Sequence, residues 1–304
     1  MHEHPLRTLS LFSGIGAYET ALMNNKTPHV IVGYCERDSI ASKCYSILHN
    51  VEESLNLRDV SLIQPKTLPD FDLLTFSPPC QDISSIGGHA GVSKETRTGL
   101  MWTCLDIIRE KKPSYLVMEN VKNLIKKYKH SFTEYLEEIR DIGYECNAEI
   151  LKADDYGLPQ IRQRLFMVGV RSDISNSLGK FTWPNPIPLK SSLKDFIDIG
   201  EPIQTINKQV SYTIRIGGRK SGVKNRHNWD GYMVNGKEYF LSPKDCMRLM
   251  GFKASDYDKL KAAGISESRI LKVSGNSIAV PVLEAIFRSL LVKSEEVLFQ
   301  NNNE

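Results

Sequence analysis

Thr8-Leu9-Ser10-Leu11-Phe12 runs directly into Ser13-Gly14-Ile15-Gly16-Ala17-Tyr18-Glu19. The first five residues read as a short buried strand. The glycines then permit a sharp turn and close backbone approach to a ligand, and Ala17 onward has the pattern of a helix. Strand, glycine turn and helix in that order open a βαβ unit. The same alternation continues down the chain. Val30–Cys35, Asp72–Phe76 and Tyr115–Met118 read as further buried parallel strands, with helices expected over 17–23, 39–48, 100–111 and 131–142. Leu165–Val170 reads as one more strand. Right-handed crossovers between such elements give an α/β fold built on a doubly wound, mostly parallel, Rossmann-like sheet.

After Arg171 the texture changes to Pro, Gly, Asn and Ser with short apolar runs, which predicts a smaller, loop-rich and mostly β domain. Helical signals return at Ser242-Pro243-Lys244-Asp245, where a capping box and a first-turn proline coincide, with Gly251 as the stop. A last amphipathic helix is expected over about 281–298, packed back on the large domain. The division implied is 1–176 with 266–304 as a catalytic domain and 177–265 as the small domain.

Composition excludes more than it identifies. The chain has 304 residues, 41% hydrophobic, 25% charged, with a net charge of +3. That is an ordinary globular balance, neither disordered nor fibrous. No apolar run approaches the roughly 18 residues that span a bilayer, and MHEHPLRTLSLF lacks the apolar stretch of a secretion signal. Six scattered cysteines with no CxxC pair argue against a zinc site or a disulfide framework, so no metal and a reducing cytoplasm are expected.

Chemistry gathers at the carboxyl ends of the strands. Glu36 ends the second strand about 20 residues after the glycine turn, where a carboxylate accepts from ribose hydroxyls. Asp59 follows in a loop suited to an adenine amino group. Glu19 stands where a dinucleotide fingerprint has its third glycine, so an adenosine ligand without phosphates fits better than a pyrophosphate. Ser77-Pro78-Pro79-Cys80-Gln81 follows the strand DLLTF, and its two prolines hold Cys80 on a stiff loop. An isolated cysteine is ordinarily a buried structural residue, and that reading is kept for the other five. Glu119-Asn120-Val121 ends another strand at the same edge. Arg162 and Arg164, at alternate positions of Gln160–Arg164, share a face if extended and can hold a phosphate or a pyrimidine carbonyl.

Taken in order, LFSGIG, Glu36, Asp59, SPPCQDISSIG, RTGLMW, ENV, QIRQRLFMVGVR, LSPKDCMRLMGF and VSGNSIAVP resemble the bacterial DNA (cytosine-5)-methyltransferase family. Asp82-Ile83 departs from the small residue plus phenylalanine common in that loop. The resemblance implies S-adenosylmethionine as methyl donor, held by Phe12, Ser13, Gly14, Gly16, Glu36, Asp59, Val60, Pro79, Asn276 and Ser277. It implies Cys80 as nucleophile, with Glu119, Arg162 and Arg164 holding a cytosine flipped out of a short duplex site. Ser84 and Ile86 belong to a loop expected to close over that base. Residues 205–237 carry seven basic side chains against Asp230 alone. In the family this is where the target-recognition region lies, and Thr213-Ile214 is similar to its Thr-Leu pair. Thr213, Arg215, Arg219, Lys220, Lys224 and Arg226 are therefore expected at the DNA. The partner implied is double-stranded DNA, contacted by a monomer without a membrane, either with a companion restriction endonuclease as a functional counterpart in a restriction-modification setting or as a solitary bacterial or phage modification enzyme.

Three other readings share parts of this pattern. A Rossmann oxidoreductase explains the glycine turn and Glu36 but leaves PPCQ and ENV without work. A tRNA cytosine methyltransferase shares PPCQ and ENV, while QIRQRLFMVGVR and the basic segment favour DNA. A non-catalytic DNA-binding relative sits poorly with an intact Cys80 and Glu119.

Overall fold

Four strands lie parallel side by side in the computed structural model, which describes residues 4–79 and 99–301. They are β1 (Leu6–Leu11), β2 (His29–Cys35), β3 (Leu73–Phe76) and β4 (Tyr115–Val121). Two more, β5 (Tyr144–Lys152) and β6 (Gln163–Arg171), complete a six-stranded sheet of order β2-β1-β3-β4-β6-β5, with β6 antiparallel to both of its neighbours.

The strands bury both faces, so successive side chains enter different cores. Leu73, Tyr115, Val117, Phe166 and Val168 join one cluster; Leu74, Phe76, Leu116, Met118, Leu165 and Met167 join the other. The first is covered by α1 (Ala17–Asn24), α2 (Ser39–His49) and the long C-terminal helix that begins at Val280. The second is covered by α3 (Leu100–Lys111), α4 (Asn123–Lys127) and α5 (Lys129–Asp141). Asp38 caps α2 by accepting from Ile40 N and Ala41 N, and the helix stops at Asn50 in the left-handed region.

The strand order determines where ligands enter. From β1 the chain passes through α1 to β2 on one side; from β2 it returns to β3 on the other. The crevice between the carboxyl ends of β1 and β3 is the switch point of the sheet. Phe12–Gly16 leaves β1 there, and Ser77-Pro78-Pro79 leaves β3 beside it.

The edge strand β5 was not anticipated from the sequence. Glu145, Asn147, Glu149 and Lys152 interrupt its apolar residues, as suits a strand with one neighbour only. Past Arg171 come α6 (Ser172–Leu178), a two-stranded ribbon of β7 (Gly231–Val234) and β8 (Lys237–Phe240), then α7 (Pro243–Leu249), α8 (Ala254–Ala262), α9 (Glu267–Asn276) and α10 (Val280–Asn301). The expectation of a mostly β segment over 177–265 is thus corrected: among the described residues its regular elements are one ribbon, two helices and a turn of 3₁₀ helix. Helix α8 escaped a periodicity reading because Leu260 is its one buried side chain. Trp229, Tyr232, Leu241 and Cys246 from this segment belong to the same apolar cluster as α1 and α10. No single helix among the described residues is long and apolar enough to cross a membrane.

Candidate active site

The turn after β1 is wound tightly. Phe12, Gly14 and Gly16 all have positive φ, at 55°, 56° and 79°. For Phe12 that is an uncommon backbone state, of the kind that concentrates at ligand sites. Gly14 N donates to Glu36 Oε2 at 2.9 Å, and Asp38 N donates to Oε1 at 2.7 Å. Burial raises the Glu36 pKa, while the Asp38 and Gly14 amides pull it down. Asn56, which carried no signal in the sequence, clamps the Glu36 backbone from both sides: Glu36 N donates to its Oδ1 and its Nδ2 donates to Glu36 O. Asp59 accepts from Ser61 N and pairs with Arg37 at 3.4 Å, and the buried Val60 follows it.

These residues suit an adenosine-type ligand. A side chain added at Gly14 would meet nothing within 4 Å, so open space lies against that backbone. The Ser13 hydroxyl is buried with no partner among the described residues. Helix α9 reaches the same corner, with Lys272 Nζ 2.6 Å from Asp38 Oδ2. The Lys272 bond holds the Asp38 carboxyl below its usual range. Asn276 and Ser277 end that helix, and Ser277 Oγ is another buried hydroxyl without a partner among the described residues.

At the end of β4, Glu119 is 9% exposed and its Oε1 lies 3.0 Å from Arg164 Nε. Burial pushes its carboxyl towards the protonated state, against the opposing pull of Arg164 and Arg162. Asn120 Nδ2 donates to Pro78 O at 3.3 Å, tying this strand end to the proline loop. Tyr18 of α1 bonds Phe76 O at 3.3 Å and Ser77 Oγ at 3.0 Å, which joins the helix after the glycine turn to the same loop. Pro79 is half-buried at the end of the described segment. Cys80, Ser84 and Ile86 lie outside the described residues. The five other cysteines are buried, and burial drives their thiols upward, Cys44 to about 11 and Cys35 to about 12.

The two arginines have different surroundings. Arg164 lines an open cleft of about 420 Å³ with Val121, Lys122, Ile161 and Thr213. Arg162 is 3% exposed, and its guanidinium donates to Ile214 O at 3.0 Å and Ser277 O at 2.6 Å. Burial and the charge of Arg164 bring its pKa down to about 9. Gln160 works in the same way: its Nε2 donates to Leu249 O and its Oε1 accepts from Ile214 N. Together they fasten the basic segment at Ile214 to the residues that lead into β6 and to Leu249 and Ser277. Gly275 allows the closeness, since a Cβ there would lie 2.9 Å from the Arg215 carbonyl carbon.

Within that segment the cations divide. Arg215 and Arg226 are exposed and border a second cleft of about 790 Å³ that also includes Arg164, Thr213 and Asn276. Lys220 and Lys224 are exposed, and the Lys220 amide donates to Asp230 Oδ1. Arg219 instead pairs with the fully buried Asp230 at 2.8 Å and donates to Leu241 O. Arg215→Ala and Arg226→Ala are expected to weaken DNA binding and each to lower the salt slope by about 1. Arg219→Ala strands a buried carboxylate and is expected to cost about 3–5 kcal/mol of stability. Thermal melts and binding across a salt series separate the two outcomes; equal melts for all three variants would refute the division.

Comparison with known proteins agrees with this geometry. The family described as C-5 cytosine-specific DNA methylase matches residues 6–217. The chain is 31% identical to the type II methyltransferase M2.ScrFI of Lactococcus lactis subsp. cremoris, over 94% of this chain and 99% of that protein. It is 29% identical to the type II methyltransferase M.HhaI of Haemophilus parahaemolyticus, over 92% and 93%. Among solved structures, S. pombe Dnmt2 methyltransferase superposes with a TM-score of 0.70 at 20% identity, covering 95% of this chain and 99% of that one, which bears on the fold alone. An oxidoreductase reading has no place beside these matches. The chain belongs to the C-5 cytosine-specific DNA methylase family and is a DNA cytosine-5 methyltransferase.

Proposed function

We propose that the chain methylates cytosine in a short duplex site by covalent catalysis at Cys80, with S-adenosylmethionine as donor. The observation that carries this reading is the junction of three strand ends. Asn120 holds Pro78, Tyr18 holds Ser77, and Glu119 sits beside Arg164 at that same edge. The turn residues Phe12–Gly16, Glu36, Asp59 and Val60, with Pro79, Asn276 and Ser277 around them, would hold the donor. When bound, it supplies a methyl group on a sulfonium that the electron-rich C5 can accept.

The protein's part is to make C5 electron-rich. A Cys80 thiolate adding at C6 forms an S–C6 bond and breaks the ring's aromaticity. Negative charge then grows at N3, and a Glu119 carboxylic acid there donates its proton or a strong hydrogen bond. Burial of Glu119 favours that protonated form. Arg164 fixes the carboxyl through Oε1, and Arg162 ties Ile214 to Ser277. Loss of the C5 proton and expulsion of the sulfur restore the ring. Because stacking hides C6, the base must leave the duplex at a cost of a few kcal/mol; Ser84 and Ile86 belong to the loop assigned to cover it.

Residues 1–176 and 266–304 would form the catalytic part and 177–265 the part that reads DNA, with Thr213, Arg215, Lys220, Lys224 and Arg226 at the duplex and Arg219 beneath them. A monomer in the cytoplasm, paired in function with a restriction endonuclease, fits this role. Purified protein with radiolabelled donor should label duplex plasmid DNA and leave tRNA unlabelled, with bisulfite sequencing locating the modified cytosines. Labelling of tRNA alone would overturn the assignment.

A further inference from the structure

Beneath the cofactor turn lies a buried polar cluster that the reaction above does not use. His49, the last residue of α2, points its Nε2 at Ile15 O, 3.1 Å away. Since a carbonyl only accepts, Nε2 carries the proton and Nδ1 is left as an acceptor. The imidazole also fills the volume next to Gly16. A Cβ at that position would lie 2.0 Å from Nε2 and 2.6 Å from Cδ2. The ring therefore touches the two central residues of the turn at once, by a hydrogen bond and by contact.

The imidazole is itself held. Tyr45, one helical turn earlier, lies against it at a centroid distance of 4.7 Å, and Tyr45 stacks on Tyr34 of β2 at 4.1 Å. Glu19 from the first turn of α1 is buried and accepts from Ser10 of β1, whose hydroxyl also meets Thr75 of β3 at 2.5 Å. His49 Nδ1 is buried and has no partner among the described residues, and the Tyr45 hydroxyl is buried beside Glu19 and Ser10. Burial disfavours the imidazolium, as the single-proton form requires. Polar groups concentrated under a turn with three positive φ angles are costly for the fold, and such cost is typical of positions that preorganise a ligand site.

We propose that His49 is a positioning residue for the methyl donor, holding Ile15–Gly16 in the shape that receives it, with Tyr45 packed against the ring. This rests on the S-adenosylmethionine reading of the turn. It assigns a role to His49, which motif spacing leaves idle.

The test is calorimetric binding of S-adenosylhomocysteine to the full chain, joined to steady-state kinetics. His49→Ala is expected to weaken binding by about tenfold, the range of one lost hydrogen bond with its packing. The loss should appear in the donor KM rather than in kcat, with DNA affinity within twofold. His49→Gln keeps a donor of similar reach and should recover most of the affinity, while the shorter His49→Asn should not; this pair keeps the question open to measurement if the alanine variant unfolds. Gly16→Ala should bind poorly because its methyl meets the ring and because a φ of 79° strains any side chain there, and adding His49→Ala should relieve the first cause and so improve binding in part, a coupling opposite in sign to additive damage. Equal affinities for Gln, Asn and wild type, or no relief in the double variant, would overturn the proposal. Wild-type protein that ignores S-adenosylhomocysteine would overturn the donor assignment itself.

Discussion

Cys80→Ser is expected to lower methyl transfer by at least about 10³-fold while leaving DNA affinity within a factor of two. A serine hydroxyl at the same position has nearly the shape of the thiol but ionises far less readily, so addition at C6 fails before any electron density reaches C5. The described cysteines offer no substitute. Cys35, Cys44, Cys104, Cys146 and Cys246 are buried in the two apolar clusters, with thiols pushed to higher pKa. A thiolate needs a cationic or polar setting, and Arg164, paired with Glu119 on the strand end that Asn120 ties to Pro78, is a cation at that edge. Single-turnover transfer to duplex DNA and gel-shift binding measure the two halves of the expectation. Wild-type transfer by the serine variant would remove Cys80 from the chemistry.

Glu119→Gln is expected to reduce kcat by about 10²–10⁴-fold, the range for one general acid. Its pH dependence carries the sign of the shift. Burial raises the carboxyl's proton affinity in the folded protein, so the acid form persists above the ordinary carboxyl range, and activity that depends on it falls as pH rises through the raised value. Glutamine has no such proton to lose. The wild-type profile should therefore contain a descending limb that the glutamine variant lacks. An identical limb in both proteins would assign it to another group.

Much of the fold was legible because strands at the centre of a sheet covered on both sides are apolar on both faces. Tyr115–Met118 and Leu165–Val170 carry that signature, and α3 follows the span read from the sequence. What stayed hidden was encoded in neither periodicity nor composition. Strand β5 is polar along one side, and α8 keeps one side chain inside. The antiparallel insertion of β6 between β4 and β5 depends on the length and path of a connection, which side-chain patterns do not express.

The site was readable to a different degree. Glycine turns, a carboxylate at a strand end and a cysteine after two prolines have local chemical reasons to exist, so spacing alone made them candidates. Asn56, Gln160 and His49 act on residues 20, 54 and 34 positions away. Their side chains are ordinary until the fold supplies their partners. Arg219 illustrates the converse. In a run of cations it looks like a DNA contact, yet Asp230, the single acidic residue nearby, claims its guanidinium in a buried pair. Charge counting cannot separate a cation that faces a ligand from one that secures a loop.

The central claim, a transient bond between the sulfur at position 80 and C6 of cytosine, is tested most directly by arresting it. Duplex DNA in which 5-fluorocytosine replaces cytosine lacks the C5 proton whose loss frees the enzyme. With S-adenosylmethionine present, a stable protein–DNA complex should form, and mass spectrometry of its peptides should find the nucleotide on Cys80. An enzyme that methylates ordinary duplex DNA yet yields no such complex, or yields one on another residue, would contradict the account.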